Sequence, residues 1–449
     1  MKPTPAKVTA ALSALFAFGM GVNLLLWWLS PPGFDDTALR QATDMLLARS
    51  GDDSWGPMAI ALEYLASPGP KPLYSAIFFE GGIKFQYPPS ALFGLLGLEA
   101  LWPGHVRTSD GMSFGAWPAI NDIVGWIFLA MSAAASAAVL EIRLAQLHGG
   151  QDWRRLRWLR CILVAGLTVT FYPLVKAFTL GQIQVWINGL FALATLFWVM
   201  KRPAWCGALV GLICLVKPHY GLLLAWAAIR REWRLVAAGA LVGAVGLAAS
   251  ISVFGLSHHL DYLNVLKFMS ERGEAYYANQ SVNGLLNRIM VAWQPGLYAI
   301  DDFSAMQFPP YSPWVYWPTL ASSLLLLLAA LLPGRESDAA YGFAVTAISA
   351  TIASPIAWEH HYGIFLPLYM LVFPAALRNR NFLWGVAASY LLVALHIAVM
   401  RQLAPTVFNV LQSYGLFGAF IFLLQLYPRL SYGRLASLTN PRRYIGRSS

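Results

Sequence analysis

AALSALFAFGMGVNLLLWWL, residues 10–29, runs for twenty positions without a charge and follows Lys2 and Lys7. A bilayer core about 30 Å thick asks for an apolar helix of roughly this length. The run is too long and too aromatic for a signal-peptide core, and no convincing small-residue cleavage site follows it, so it reads as the first transmembrane helix. Further apolar stretches lie at 89–103 (short), 118–140, 159–180, 183–200, 204–229 (interrupted), 234–256, 313–333, 339–357, 362–377, 382–400 and 406–427. Only 12% of the 449 residues are charged and 58% are hydrophobic, whereas a soluble domain carries about 25% charged residues. The chain therefore reads as an all-α polytopic membrane protein, a bundle of about 10–13 transmembrane helices, with residues 1–449 forming one integral membrane domain.

Charge placement sets the expected topology. Lys and Arg (31) exceed Asp and Glu (21), and the excess sits in short loops and in the basic tail 428–449. That is a positive-inside pattern with the tail cytoplasmic, and it calls for no nucleic-acid partner. Two polar stretches, 30–88 and 257–312, are too long to be simple connectors and are expected to be the first and second external loops. The basic loop DWRRLRWLR (152–160) favours the cytoplasm if 89–103 is re-entrant. RREWR (230–234) does so if 204–229, split at Lys217-Pro218, is a hairpin; alternatively both segments cross. Either way 30–88, 257–312 and SPIAWEHHYG (354–363) share one side. Within the first loop, DDTALRQATDMLLARS (35–50) reads as an amphipathic helix with Leu39, Ala42 and Leu46 on one face, and PMAIALEYLA (57–66) as a second short helix, both lying on the bilayer. Cys161, Cys206 and Cys214 sit in or beside apolar segments at no metal-ligand spacing and read as small core residues.

Several polar groups sit where an apolar chain pays to keep them. Asp35 and Asp36 follow the first helix, and are either helix N-caps or a carboxylate able to accept a proton from a substrate hydroxyl. Lys217 in LVKPHYG (215–221) is costly in a membrane by about 2.5–3.5 kcal/mol on insertion scales unless paired or hydrated, and Pro218 suits a broken helix lining a cavity. ANQSVNGLLNRIM (278–290) sets amides and Arg288 along an expected helix, suited to hydroxyl-rich ligands and to a phosphate. SPIAWEHHYG places Trp358, Glu359, His360 and His361 together. It could be an interfacial aromatic belt, a metal site, a proton relay or a cradle for an anionic headgroup. No HExxH spacing accompanies it, and adjacent histidines diverge by about 100° on a helix, so the cradle is preferred over metal, with one histidine facing the cavity.

In order along the chain, the acidic doublet, FQYPPS (85–90), LGQIQVWINGL (180–190), GALVGLICLVKPHYGLLL (207–224) followed by RREWR, NQSVNGLLNR (279–288) and SPIAWEHHYG resemble glycosyltransferase family 87. The resemblance spans about 30 to 375. It implies a GT-C-type bundle in a bacterial cytoplasmic membrane, facing the periplasm. The implied activity is inverting transfer of a sugar, mannose first among candidates, from a polyprenyl-phosphate donor to a glycolipid or glycan acceptor. It also implies an aspartate base, Asp35 or Asp36, with Asp35 favoured because Ala42 then takes a position where the family tends to show a small residue. Donor phosphate and sugar contacts are expected from Arg288, His360, His361, Lys217, His219, Asn279, Ser281, Tyr87 and Gln182. A lipid phosphate leaves readily, so a base and a cationic cradle suffice, and neither a metal nor another cofactor is expected. Glu359 is the reserve base. A lipid-linked sugar flippase is the rival from another class, but no inverted repeat is visible; an O-antigen ligase or polymerase would carry its large loop later in the chain.

Overall fold

The computed structural model describes residues 4–30, 37–67, 69–102, 117–148, 154–293, 308–332 and 338–430. Asp35, Asp36 and the tail from 431 onward lie outside them. The described residues form helices α1 (Pro5–Leu29), α2 (Ala38–Leu46), α3 (Trp55–Ala66), α4 (Phe93–Leu101), α5 (Trp117–His148), α6 (Arg157–Val169), α7 (Tyr172–Thr179), α8 (Gln184–Val199) and α9 (Pro203–Cys214). They continue with α10 (Leu222–Ile229), α11 (Trp233–Phe254), α12 (Leu256–Arg272), α13 (Val282–Trp293), α14 (Pro313–Leu331), α15 (Ala339–Ile352), α16 (Phe365–Ala376), α17 (Arg380–Ala394) and α18 (Tyr414–Leu430).

Among these residues five helices are long and apolar enough to cross a membrane, at Pro5–Leu29, Ala119–Leu147, Trp233–Phe254, Pro313–Leu331 and Val407–Leu430. A sixth follows if α6 and α7, which meet at 56°, make one bent span. The chain is thus an all-α multi-pass membrane protein. The larger number of apolar stretches in the sequence arises because several are divided. The 204–229 stretch breaks between Cys214 and Pro218, and the α6–α7 stretch breaks ahead of Pro173. A proline lacks the N–H that the helix needs and clashes with the preceding turn.

The core is built around α15 and α16. Every residue from Gly342 to Ile352 is buried, as are Phe365 to Pro374, the mark of helices surrounded by others rather than by lipid. On the outside, α14 exposes Leu324, Leu325 and Leu328 and α11 exposes Leu241, Val245 and Val253, as lipid-facing helices do. Small residues join α9 to α11: a Cβ on Gly207 would stand 2.0 Å from the Leu235 carbonyl oxygen, and one on Gly211 2.4 Å from that of Gly239. Close approach of this kind is how apolar helices associate where lipid removes the hydrophobic drive.

In the stretch after α1 both expected helices are present, with their details corrected. The N-cap of α2 is Thr37, whose hydroxyl accepts from the Arg40 amide at 3.3 Å. Its inward stripe is Ala38, Gln41 and Met45, while Leu46 and Leu47 are exposed. Arg40 pairs with Asp44 at 3.3 Å.

A buried bidentate charged pair joins α5 and α6. Arg160 Nε and Nη2 donate to the two oxygens of Glu141 at 2.6 and 2.8 Å, both side chains buried. The bidentate geometry offsets the desolvation of both ions, and removing one partner leaves an uncompensated buried charge. Glu141→Ala is therefore expected to lower stability in detergent by about 3–5 kcal/mol, read as a fall in thermal midpoint, with Glu141→Gln losing less.

Candidate active site

A cavity of about 480 Å³ opens where the helix breaks converge, within the size range of about 300–1,000 Å³ for small-molecule sites. It collects Asp53 and Pro57 beside α3, Lys84, Gln86 and Tyr87 from the end of the first loop, and Gln182 between α7 and α8. To these it adds Val216 to His219 from the α9–α10 break, one face of α12, and Ala353 to Ile356, Trp358, His360 and His361 after α15. The segments expected to share one side of the membrane thus meet at one site.

Two backbone features place its polar wall. Residues 51–54 lie along 179–181: the Gly51 amide donates to the Thr179 carbonyl at 2.8 Å and the Asp53 amide to that of Leu180 at 3.0 Å. Gly181 has φ +66°, and a Cβ there would meet the Gly51 carbonyl oxygen at 1.8 Å, so only glycine fits. This explains the glycine of LGQIQ. Next to it the Gln182 carboxamide is held by three groups. Its Oε1 accepts from the Ser54 hydroxyl at 2.7 Å and the Tyr87 hydroxyl at 2.9 Å, and its Nε2 donates to Asp53 Oδ2.

The second feature is the join between NQS and SPIAWEHH. The Gln280 amide donates to the Ala357 carbonyl at 2.7 Å, the Glu359 amide to that of Ala278 at 2.9 Å, and the Ala357 amide to Asn279 Oδ1 at 3.0 Å. The helix expected over 278–290 accordingly starts only at Val282. A 3₁₀ turn, Glu359–Ile364, then presents His360 and His361.

Lys217, His219, His360, His361, Tyr87 and Gln182 all line the cavity. Both neighbouring histidines do, with rings 4.8 Å apart and nearly perpendicular at 86°; the expectation that only one would face inward does not hold on this tight turn. His361 Nε2 stands 2.5 Å from Lys217 Nζ. Lys217 is buried, and among the described residues no carboxylate forms an ion pair with it.

Arg288, Asn279 and Ser281 do not line the cavity. The Arg288 guanidinium is wholly buried and donates to Ser413 Oγ at 2.7 Å and to the carbonyls of Tyr276 and Asn279 at 3.0 and 2.8 Å. Asn279 Nδ2 and Ser281 Oγ donate to the Pro355 carbonyl at 3.1 and 2.8 Å. These three fasten the wall that carries the histidines rather than touching what it holds. Glu359 is also turned away, its Oε1 accepting from Tyr414 at 2.9 Å and pairing with His396 Nδ1 at 3.1 Å.

The sequence reading missed Asp53, Lys84 and the orientation of Trp358. Lys84 pairs with Glu274 at 3.2 Å, and Glu274 also accepts from the Trp358 indole at 2.7 Å. Asp53 is the one carboxylate lining the cavity among the described residues. Burial, then the neighbouring Asp52 charge, lifts it to about 6, with Glu274 adding to the rise and Lys176 and Lys84 opposing it. SGDDSW (50–55) carried no signal that separates this aspartate from a loop charge.

A multi-pass helical protein with a polar cavity at its helix breaks is a membrane enzyme or a carrier, and the family it belongs to decides between the two. The model of Glycosyltransferase family 87 matches residues 85–357, and the chain belongs to that family: it is a membrane glycosyltransferase. Among curated relatives, a polyprenol-phosphate-mannose-dependent alpha-(1-2)-phosphatidylinositol pentamannoside mannosyltransferase of Mycolicibacterium smegmatis is 25% identical over 354 residues, 77% of this chain and 76% of the relative. A polyprenol-phosphate-mannose-dependent alpha-(1-2)-phosphatidylinositol mannoside mannosyltransferase of the same organism is 24% identical over 56% of this chain and 55% of its own length. The crystal structure of ArnT from Cupriavidus metallidurans bound to undecaprenyl phosphate aligns over 96% of this chain and 80% of that one, at 17% identity and a TM-score of 0.31.

Asp53 is expected to show a protonated carboxyl band in difference infrared spectra that disappears as pH rises through about 6 and is absent in Asp53→Asn. Because the folded-state value lies above the unfolded 3.8, ionisation of Asp53 opposes folding, so its effect on stability is a decline as pH rises across that window. Gly181→Ala should displace the 51–54 segment and abolish the band shift.

Proposed function

We propose that the enzyme transfers a sugar, with mannose the leading candidate, from a polyprenyl-phosphate donor to a hydroxyl of a lipid or glycan acceptor, with inversion, on the external face of a bacterial cytoplasmic membrane. The observation behind this reading is the buried Lys217, 2.5 Å from His361 and lacking any carboxylate partner among the described residues, with His219 and His360 on the same cavity wall. A phosphate there supplies the missing negative charge, and the fixed donors stabilise the charge that builds on it as it departs. The family and the activities of the relatives agree with a lipid-phosphate donor and suggest mannose.

The cavity suits a lipid-linked substrate. Beside its polar wall lie Leu266 and Met269 of α12, Leu327 of α14 and Ala350 of α15, and the same helices expose Leu260, Leu263, Leu324 and Leu328 outward. A prenyl chain attached to the phosphate would leave along this flank into the bilayer.

In the transfer, the acceptor oxygen attacks the anomeric carbon, the bond from that carbon to the phosphate oxygen breaks, and its electron pair leaves with the lipid phosphate. The acceptor proton passes to a carboxylate, for which Asp35 or Asp36 is the proposed base. A second carboxylate acting as acid is not required, because the phosphate monoester leaves without protonation.

Incubation of the purified protein with polyprenyl-phosphate mannose and a panel of glycolipid acceptors tests this. Transfer is expected, and Lys217→Gln and His361→Ala should each lower kcat/KM by about 100-fold or more. Either Asp35→Ala or Asp36→Ala should abolish turnover while donor binding persists; if both variants turn over like the wild type, the base lies elsewhere. Movement of lipid-linked sugar across vesicles, without any transfer, would instead point to a flippase. Leu327→Trp should impair long-chain donors and spare a short-chain analogue if the prenyl chain follows the proposed flank.

A further inference from the structure

Asp53 lines the same cavity as Lys217 and the histidines, and its surroundings do not make it a structural ion. It belongs to none of the ion pairs among the described residues; the nearby Lys84 is paired with Glu274 at 3.2 Å. Only Oδ2 has a partner within the described chain, the Gln182 amide, while Oδ1 accepts from no described residue. The carboxylate is nevertheless held firmly. Gln182 cannot rotate without losing the Ser54 and Tyr87 hydroxyls on its other end, and the Asp53 backbone is tied to Leu180. A fixed carboxylate with one open oxygen, on a residue that lines a cavity, is an acceptor prepared for hydroxyl donors.

Trp358 supplies the complementary surface. Its indole is oriented by Glu274, and its ring borders the cavity next to the histidines, 5.3 Å from His360 and 6.5 Å from His361, lying nearly parallel to the latter at 16°. A sugar ring offers apolar C–H faces and an equatorial rim of hydroxyls. An aromatic plane takes the first and a carboxylate and carboxamide take the second. A glycosyl unit whose phosphate sits at Lys217 and His361 would lie against Trp358. The polar wall of the same cavity then provides Asp53 and Gln182.

On the reading that the donor is a lipid-phosphate sugar, we propose that Asp53 is the residue that grips hydroxyls of the transferred sugar, with Trp358 as its stacking platform, and so determines which glycosyl unit the enzyme accepts. The bond is from sugar hydroxyl to the Oδ1 carboxylate oxygen, and Gln182 is the positioning residue that keeps that oxygen turned into the cavity. Nothing in this role requires Asp53 to take the acceptor proton.

The test compares affinity of the purified full chain for polyprenyl-phosphate mannose and for bare polyprenyl phosphate. Asp53→Asn, which keeps size and shape, is expected to weaken the sugar-bearing lipid by about ten-fold or more, the worth of a hydrogen bond to a charged group, and to leave the bare lipid phosphate unchanged. The unchanged affinity also shows the variant to be folded. Gln182→Leu should reproduce the effect in weaker form, whereas Lys217→Gln should weaken both lipids. With monodeoxy donors, the wild type should lose affinity at one or two positions and Asp53→Asn should lose nothing further at those positions. Equal weakening of both lipids, weakening of neither, or full donor affinity with turnover abolished would overturn the assignment, the last result making Asp53 a base. If the wild type binds neither lipid phosphate, the donor reading itself falls and takes this assignment with it.

Discussion

A backbone amide or carbonyl inside a bilayer has no water to bond, so a break in a helix is tolerated only where protein or a polar cavity covers it. That constraint organises this molecule. The breaks at 180–183, 215–218 and 353–364 all border the same cavity, and the groups that the breaks release are used there. The Leu180 and Thr179 carbonyls accept from the 51–53 segment, the Leu215 carbonyl accepts from Ser90, and the Pro355 carbonyl accepts from Asn279 and Ser281. Each unwound segment is thereby fastened to a distant part of the chain, and each contributes a side chain to the cavity. The site and the satisfaction of the backbone are one arrangement.

Within that cavity the charges are sorted. Lys217, His219, His360 and His361 form a wall of nitrogen groups, and Asp53 with Gln182 and Tyr87 forms a hydrogen-bonded acceptor wall. Lys84 does not blur the division, because Glu274 takes its charge and at the same time aligns Trp358. Phosphate at one wall and hydroxyls at the other is the distribution of polarity in a glycosyl phosphate, with an apolar flank from α12 and α14 for its lipid. The supporting shell is as specific as the walls: Arg288 spends its guanidinium on Ser413 and on the carbonyls of 275–279, fixing the segment on which the histidine turn hangs.

Lys217 stood out in the sequence because a cation amid apolar residues is expensive wherever it is placed, and His360 and His361 did so because two polar rings interrupt an apolar run. Arg288 stood out for an equally physical reason, yet it does not line the cavity. The planar fork that matches a phosphate also matches a set of backbone carbonyls, and composition does not distinguish them. Asp53 was overlooked because its meaning depends on Gln182, 129 positions away, just as that of Lys217 depends on His361, 144 positions away. Periodicity and local motifs report the neighbours along a chain and carry no record of such pairs.

What the sequence by itself determined was the solvent and the class. Uninterrupted apolar runs of bilayer length dictate helices in lipid, and prolines and glycines such as Pro218 and Gly181 dictate where those helices must stop. What only the tertiary structure decided was which polar residues share a cavity and which serve as its fastenings. A membrane forces every polar side chain to find a partner, and whether that partner is the protein's own backbone or a ligand depends on where the broken helices meet.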